Sequence, residues 1–494
     1  MSSKFILFYT SVLLCLTLTW GQDISGKIID KDTKDPIPYA TIQIDETRGT
    51  ITNEEGFFLI TLGDASVTDL TISCLGYATK IVSLDPIEKK DLTIALGASV
   101  LELDEVFVSN STPNADAIMA KVRSRVKDNY RSGPLRYELF YRETAKIDFK
   151  SLELEVDKAS NVGKLQIAKA NKGLENLAND IKASKTIQFR DFKGDLLAKD
   201  AENTKLVVEK ATKLIDSRKD FSIENVQKRA QDMVLKYLDT TKTYKVKTGL
   251  FKIEDSLSLN EAEKESKKNE YLVSELRSNS HDLLRTSLFD EASFLSDIID
   301  DKLYTYSFLD ATYFNDELVY VIQFNPKRAK SKFEGKLYIS DDTYAILKTD
   351  YAFAKGKRGE KVNLKLILGV KYIENRRKGT IIFKKDGDNR YVPYYLKEEE
   401  GSYFYVNRPF KFIENSPEKN KIAFDFKIEG NARNKEELLF INSSKMSMEH
   451  YTSLKEHENT PYTLLHRYEP TIWQNSKVIA PLEEMRNFKV SEQY

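Results

Sequence analysis

Strict alternation of apolar and polar residues recurs in two long blocks of this chain. It leaves little choice of secondary structure there, because only a strand turns successive side chains to opposite faces. In the first block the runs are short, at 24–28, 39–44, 57–60, 70–73, 79–82 and 92–96. Turn residues separate them at intervals of about ten, the spacing of an all-β sandwich. Asp35-Pro36, Asn53-Glu54-Glu55-Gly56 and Gly76 supply the bends, glycine by reaching positive φ without a steric penalty and proline by presetting φ. Residues 101–108 alternate as one more strand.

After Tyr304 the period of two returns. Leu318, Tyr320, Ile322 and Phe324 alternate with more polar positions, as do Phe333, Leu337 and Ile339 across Gly335. Val362, Leu364, Leu366 and Leu368 follow, and later Ile422, Phe424, Phe426 and Ile428. Asp341-Asp342, the segment 355–359, Asp386-Gly387-Asp388 and Gly401 read as hairpin signals. About nine or ten strands are expected over 303–442, enough for an antiparallel sheet to curl. Its larger apolar side chains share one covered face, and Lys336, Lys365, Asp425 and Lys427 meet water on the other.

Between the two blocks Asn114 is placed to cap a helix running to Tyr130, with Ile118, Val122 and Val126 on one face. From about 145 to 300, Lys, Glu, Asp, Asn and Ala dominate and glycine and proline almost vanish, which reads as helices with loose connections. Residues 223–238 are the clearest, with Val226, Ala230, Met233, Val234 and Tyr237 on one face behind Ser222. Residues 261–268 are charged enough to be solvated. The expected fold class is mainly β with an α insert. A sandwich occupies 22–108, a linker helix, strand and charged helical region 109–302, a curved antiparallel sheet 303–442 and a C-terminal extension 443–494.

Lys4 leads into an apolar stretch at 5–18, too short to span a bilayer, followed by Thr19-Trp20-Gly21. That pattern is a secretory signal peptide over residues 1–21 with cleavage before Gln22, so the chain is expected to be exported to the periplasm or the outer membrane. Cys15 is a poor lipid anchor because Leu14 precedes it where such signals want a small residue. Cys74 is then the one cysteine left, and stability must come from buried cores rather than disulfides. Lys+Arg and Asp+Glu both number 76, which gives no global preference for nucleic acid.

Gly26, Asp30, Pro36-Ile37-Pro38, Ala40-Thr41-Ile42, Gly49-Thr50, Thr52-Asn53, Gly56-Phe57-Phe58, Ile72-Ser73 and Gly76-Tyr77 resemble the carboxypeptidase-regulatory-like domain. The resemblance covers most of residues 23–97 and implies a transthyretin-like sandwich, common at the amino terminus of exported Bacteroidetes proteins. Asn53 stands where that family more often has Asp. Asn129-Tyr130, Pro134 and 140–143 are similar to a segment that follows this sandwich in exported Bacteroidetes proteins. The runs 319–324, 333–339 and 344–348 look like the strands of lipoprotein-carrier-like half barrels, which implies an apolar face wrapped around a helix.

The sandwich is a non-catalytic appendage in the carboxypeptidases that carry it. A zinc peptidase needs closely spaced His and Glu ligands, and the four histidines form no such motif. His450, His457 and His466 gather near the carboxyl terminus beside Glu449, Glu456 and Glu458, at spacings that fit no common metal pattern. No nucleophile elbow and no phosphate-cradling loop occurs. Asp386-Gly387-Asp388-Asn389 suits a hairpin turn better than a calcium loop, for want of further ligands. Asp297, Asp300 and Asp301 suit a solvated helix end better than an acid–base pair. Tyr394-Tyr395 and 403–405 suit an aromatic sheet core better than an exposed docking row.

The expectation is a non-catalytic binding or scaffold module of the envelope, with no catalytic, cofactor or metal residues assigned. Its partner is an outer-membrane protein, or a lipid, peptide or glycan, and not nucleic acid. A small outer-membrane β-barrel or receptor-related component is the alternative. Charges at Glu334, Lys336, Lys365 and Lys427 weigh against it, since a barrel must show lipid an apolar band.

Overall fold

The computed structural model describes residues 23–45, 49–61, 67–84, 90–99, 113–160, 162–183, 186–216, 241–249, 251–258, 269–291, 293–474 and 476–489. The chain is mainly β, with helices between strands. It divides into two compact units. One comprises Met1–Val100, Tyr313–Asp316 and Glu469–Glu484; the other comprises Leu101–Thr312, Glu317–Tyr468 and Met485–Tyr494.

The first unit holds β1 (Asp23–Asp30), β2 (Thr41–Gln43), β3 (Gly49–Ile51), β4 (Phe57–Thr61), β5 (Asp69–Ser73), β6 (Lys80–Ser83) and β7 (Leu92–Leu96). They form two sheets, ordered β4-β1-β7 and β3-β2-β5-β6. Ile24, Ile28, Phe58 and Ile94 from the first sheet and Ile42, Leu70 and Ile72 from the second close one core. This is the sandwich expected from the alternation. Gly56 sits at φ 75°, where a Cβ would lie 2.5 Å from the Ile28 carbonyl oxygen, so this turn requires glycine. Asn53 is buried. Its Oδ1 accepts from the backbone N–H groups of Glu55 at 2.9 Å and Phe57 at 3.0 Å. Its amide donates to the carbonyls of Ala480 at 3.2 Å and Pro481 at 3.1 Å. An aspartate could make the first pair of bonds but not the second.

The second unit is organised by one sheet whose strands come from both halves of the chain. They are β8 (Leu135–Ala159), β9 (Thr186–Ala198), β10 (Thr204–Ile215), β11 (Thr243–Thr248), β12 (Phe251–Ser258), β14 (Tyr304–Phe314), β15 (Glu317–Pro326), β16 (Phe333–Ser340), β17 (Ile346–Phe353), β18 (Lys361–Leu364), β19 (Val370–Lys385), β20 (Tyr391–Glu414), β21 (Lys421–Lys445) and β23 (Thr463–Leu465). The main path is β14-β15-β16-β17-β19-β20-β21-β8-β9-β10-β23, with β11, β12 and β18 attached beside it. β13 (Glu270–Leu272) and β22 (Asn459–Pro461) pair separately.

The sheet is therefore wider than the expected 303–442, and the region read as loosely helical contributes five of its strands, β8 to β12. β8 shows why. Its Phe149, Leu152, Leu154 and Val156 are buried among charged neighbours, and β21 pairs with it along nearly its whole length. That pairing overrides the helix-favouring composition. Helix Lys164–Ala183 does form in this region and lays Leu174, Leu177 and Ile181 on those β8 residues and on Ile422 and Ile428. Each such side chain contributes about 1.5–3 kcal/mol on burial.

Helix Ala115–Asn129 starts as expected, with Asn114 accepting from the Ala117 N–H at 3.1 Å. Two other expectations fail. Gly401 is no hairpin but lies inside β20, opposite Arg376 and Arg433. Val362, Leu364 and Leu366 do not face the core: all three are exposed, and 365–368 is a helical turn. The stretches 1–21, 101–108, 223–238 and 261–268 lie outside the described residues.

Candidate functional site

Strand register in the large sheet aligns side chains from successive strands into transverse rows. On one face β15 to β19 contribute Phe324, Gly335, Tyr351 and Gly379, and the row continues through Glu398 of β20, Glu436 of β21, Glu143 of β8 and Arg190 of β9. The glycine at 379 makes this row work. A Cβ there would stand 2.4 Å from the Tyr351 hydroxyl. Without one, the tyrosine ring crosses the strand and its hydroxyl donates to Glu398 Oε2 at 2.6 Å.

The other carboxylates of this face are held as specifically. Arg377 donates to Glu398 Oε1 at 2.7 Å and lies 3.5 Å from Glu400. Tyr141 donates to Glu436 Oε1 at 2.8 Å. Arg190 bridges Glu143 at 2.6 Å and Glu275 at 2.7 Å. Burial pushes the Glu436 carboxyl up to about 7; the Tyr141 bond lowers it in part, and Glu143, Glu400 and Glu398 raise it further. Burial also raises Glu400, against the pull of Arg377. A carboxyl near neutrality can donate as well as accept.

Helix Val273–Arg285 and helix Phe294–Ile298 cross this face and leave a cavity of about 480 Å³ between themselves and the sheet. Asn279, Asp282, Arg285, Thr286, Ser293 and Phe294 line it from above, and Arg377, Glu398, Glu400 and Glu436 from the sheet. The expected apolar covered face is thus interrupted by a charged cavity.

The opposite face carries its own polar row: Gln323, Lys336, Asp350, Thr380, Lys397, Glu437, Arg142, Asp191 and Thr212. Arg142 binds Asp191 through two bonds of 2.9 and 2.7 Å, with both side chains buried. Tyr395 donates to Glu437 at 2.7 Å. Pairs this completely satisfied fix strand register.

The residues weighed from sequence fall elsewhere. Asp386 accepts from the backbone N–H groups of Asp388 and Arg390 and pairs with Arg131, so 386–389 is a hairpin turn. Asp301 pairs with Arg123 at 3.1 Å, and Asp300 accepts from the Lys302 N–H at 2.8 Å. Asp297 lies in the short helix Phe294–Ile298. Glu456 accepts from the Leu206 N–H and pairs with Arg277, while His450 and Glu449 lie on helix Met448–Ser453. Among the described residues no group of three or more His, Cys, Asp or Glu side chains is arranged to hold a metal ion. Tyr394, Tyr395 and Tyr405 are buried, and Tyr403 bonds Glu429 at its rim position, as an aromatic sheet core requires.

Sequence reasoning missed Glu398, Glu400, Glu436 and Arg377. Their one signal is that Lys397-Glu398-Glu399-Glu400 and Lys435-Glu436-Glu437 fall within strands.

Among the described residues no helix is long and apolar enough to cross a membrane. A search of curated proteins finds no match. Residues 268–386, which include β13 to β19, match a Family of unknown function (DUF5686). Residues 24–108 match the CarboxypepD_reg-like domain, in agreement with the two packed sheets of the first unit.

Proposed function

We propose that the protein is an exported, non-catalytic binding module of a Gram-negative envelope, of the kind found in Bacteroidetes. The apolar stretch at 5–18 supports export to the periplasm or outer membrane. The observation that carries the binding reading is the cavity of about 480 Å³ between the two helices and the Glu398–Glu436 row, a size suited to a small ligand. The likeness of 319–348 to lipoprotein-carrier sheets would favour a lipid, but the lining favours a polar occupant. Four carboxyls, Asp282, Glu398, Glu400 and Glu436, face two arginines, Arg285 and Arg377. That balance suits a ligand rich in hydroxyl and amino groups, such as an amino-sugar glycan or a basic peptide.

Calorimetric titration with glucosamine (chitosan) oligosaccharides and with a lysine-containing peptide tests this. Binding of one of them that is lost in Glu398→Gln and Glu436→Gln supports the proposal. No heat with either probe, or equal affinity in both variants, refutes it.

A second reading is acid–base catalysis, favoured by Glu436 near neutrality directly opposite Glu398 on the neighbouring strand. Turnover of a bound oligosaccharide would select it. The barrel alternative is weakened by the sheet path, which runs from β14 to β23 with no pairing between those two strands among the described residues.

A further inference from the structure

β18 and the start of β19 form a hairpin, Lys361 opposite Ile373 and Leu364 opposite Val370. The helical turn Lys365–Leu368 makes its tip. Gly369 ends that turn at φ 64°, where a Cβ would lie 2.0 Å from the Asn407 carbonyl oxygen. Asn407 in turn donates its N–H to the Gly369 carbonyl at 2.8 Å. The tip is therefore held against β20 in one conformation.

What it presents is unusual for a surface in water. Leu366 is 101% exposed and Ile367 81%, with Val362, Leu364 and Tyr372 about two-fifths exposed beneath them. Lys361, Lys365 and Lys371 surround these residues, and no acidic residue occurs between 361 and 373. Lys365 and Lys371 lie over the rings of Tyr405 at 4.0 Å and Tyr403 at 5.3 Å.

We propose that this tip docks on an anionic lipid bilayer, Leu366 and Ile367 entering the acyl boundary and the three lysines meeting headgroup phosphates. Three arguments favour lipid over a protein. The apolar element is a narrow projection, whereas a specific protein interface buries roughly 800 Å² on each partner. Within 361–373 the charge is all positive, matched by an anionic surface, while the acidic residues Glu360 and Glu374 lie at the base of the hairpin. The aliphatic tip is bordered by tyrosines and lysines, the residue types that favour a bilayer interface. The inference is independent of the cavity, which involves other residues.

Flotation of the intact chain with phosphatidylglycerol and phosphatidylcholine vesicles tests it, alongside the variants Leu366→Glu/Ile367→Glu and Lys361→Gln/Lys365→Gln/Lys371→Gln. The segment 5–18 is the same in all of them. The first variant should partition about a hundredfold more weakly onto phosphatidylglycerol. The second should lose about fivefold per lysine there and nothing on phosphatidylcholine. The first variant should keep the wild-type thermal melt, since Leu366 and Ile367 are solvent-facing; the second gives up the contacts of Lys365 and Lys371 with Tyr405 and Tyr403 and should melt slightly lower. Equal flotation of wild type and Leu366→Glu/Ile367→Glu overturns the proposal, as does no dependence on lipid charge. So does a self-association or protein contact that Leu366→Glu/Ile367→Glu abolishes while wild type ignores vesicles.

Discussion

Substituting alanine at Gly379 places a methyl group 2.4 Å from Cζ and from the hydroxyl of Tyr351, and 2.6 Å from the Lys397 carbonyl oxygen. No side chain tolerates such contacts, so the tyrosine ring must leave its place across β19. Leaving breaks the 2.6 Å bond to Glu398, a charge-assisted bond that contributes about 1.5–3 kcal/mol. It also disturbs the packing of Tyr351 on Phe294, with centroids 4.2 Å apart, and on Phe333 at 5.6 Å, about 0.5–1.5 kcal/mol for each aromatic pair. Alanine recovers about 0.4–1 kcal/mol by restricting the unfolded chain, which leaves a net destabilisation of roughly 2–5 kcal/mol. If the ring is the cause, the cost must shrink when the ring is absent. In a Tyr351→Ala background Gly379→Ala should cost about 2 kcal/mol less, the remainder reflecting the Lys397 carbonyl. Urea denaturation followed by circular dichroism on the four proteins of this cycle measures the coupling. Equal costs in both backgrounds would refute the argument that glycine is there to let Tyr351 reach Glu398.

Three further outcomes are expected. The folded Glu436 carboxyl sits at about 7 against an ordinary 4.5, so its contribution to stability is complete below about pH 4.5 and lost as pH rises through about 7; Glu436→Gln should flatten that slope in urea midpoints. Arg142→Ala strands the buried Asp191 and should cost about 3–5 kcal/mol by the same measurement, whereas replacing both by well-packed apolar residues should cost far less. Asn53→Asp keeps the turn acceptor but loses both bonds to Ala480 and Pro481, so limited proteolysis should cut near 478–484 faster than in wild type, with the sandwich itself intact.

How much of this was legible depends on how local the determinants are. The sandwich was readable because each signal lies within a few residues: alternation in 24–28 and 70–73, and the Asn53–Gly56 turn whose glycine has positive φ. Asn114 was readable because a cap acts three residues ahead. The strands of 135–215 were not, because Phe149, Leu152, Leu154 and Val156 stand in a Lys- and Glu-rich frame, and β21, the strand that pairs with them, begins only at residue 421. Val362 to Leu368 failed in the opposite direction: a good strand pattern, with nothing packed over its tip. The cavity carboxylates were hidden for a related reason. A Glu-Glu-Glu run is ordinarily solvated, and only the register of five strands, with a glycine at 379, shows Glu398 and Glu436 drawn beneath two helices.

β8 has a consequence for how the chain reaches its native state. One edge of the strand pairs with β9 soon after both leave the ribosome, but the other waits for β21, as with Tyr141 and Glu436, 295 residues apart. At about 5–20 residues per second of synthesis that edge stays open for roughly 15–60 s. Such a bare edge, 25 residues long, is a template for pairing with neighbouring chains. Any truncation that ends before residue 421 leaves that edge open permanently and is expected to aggregate.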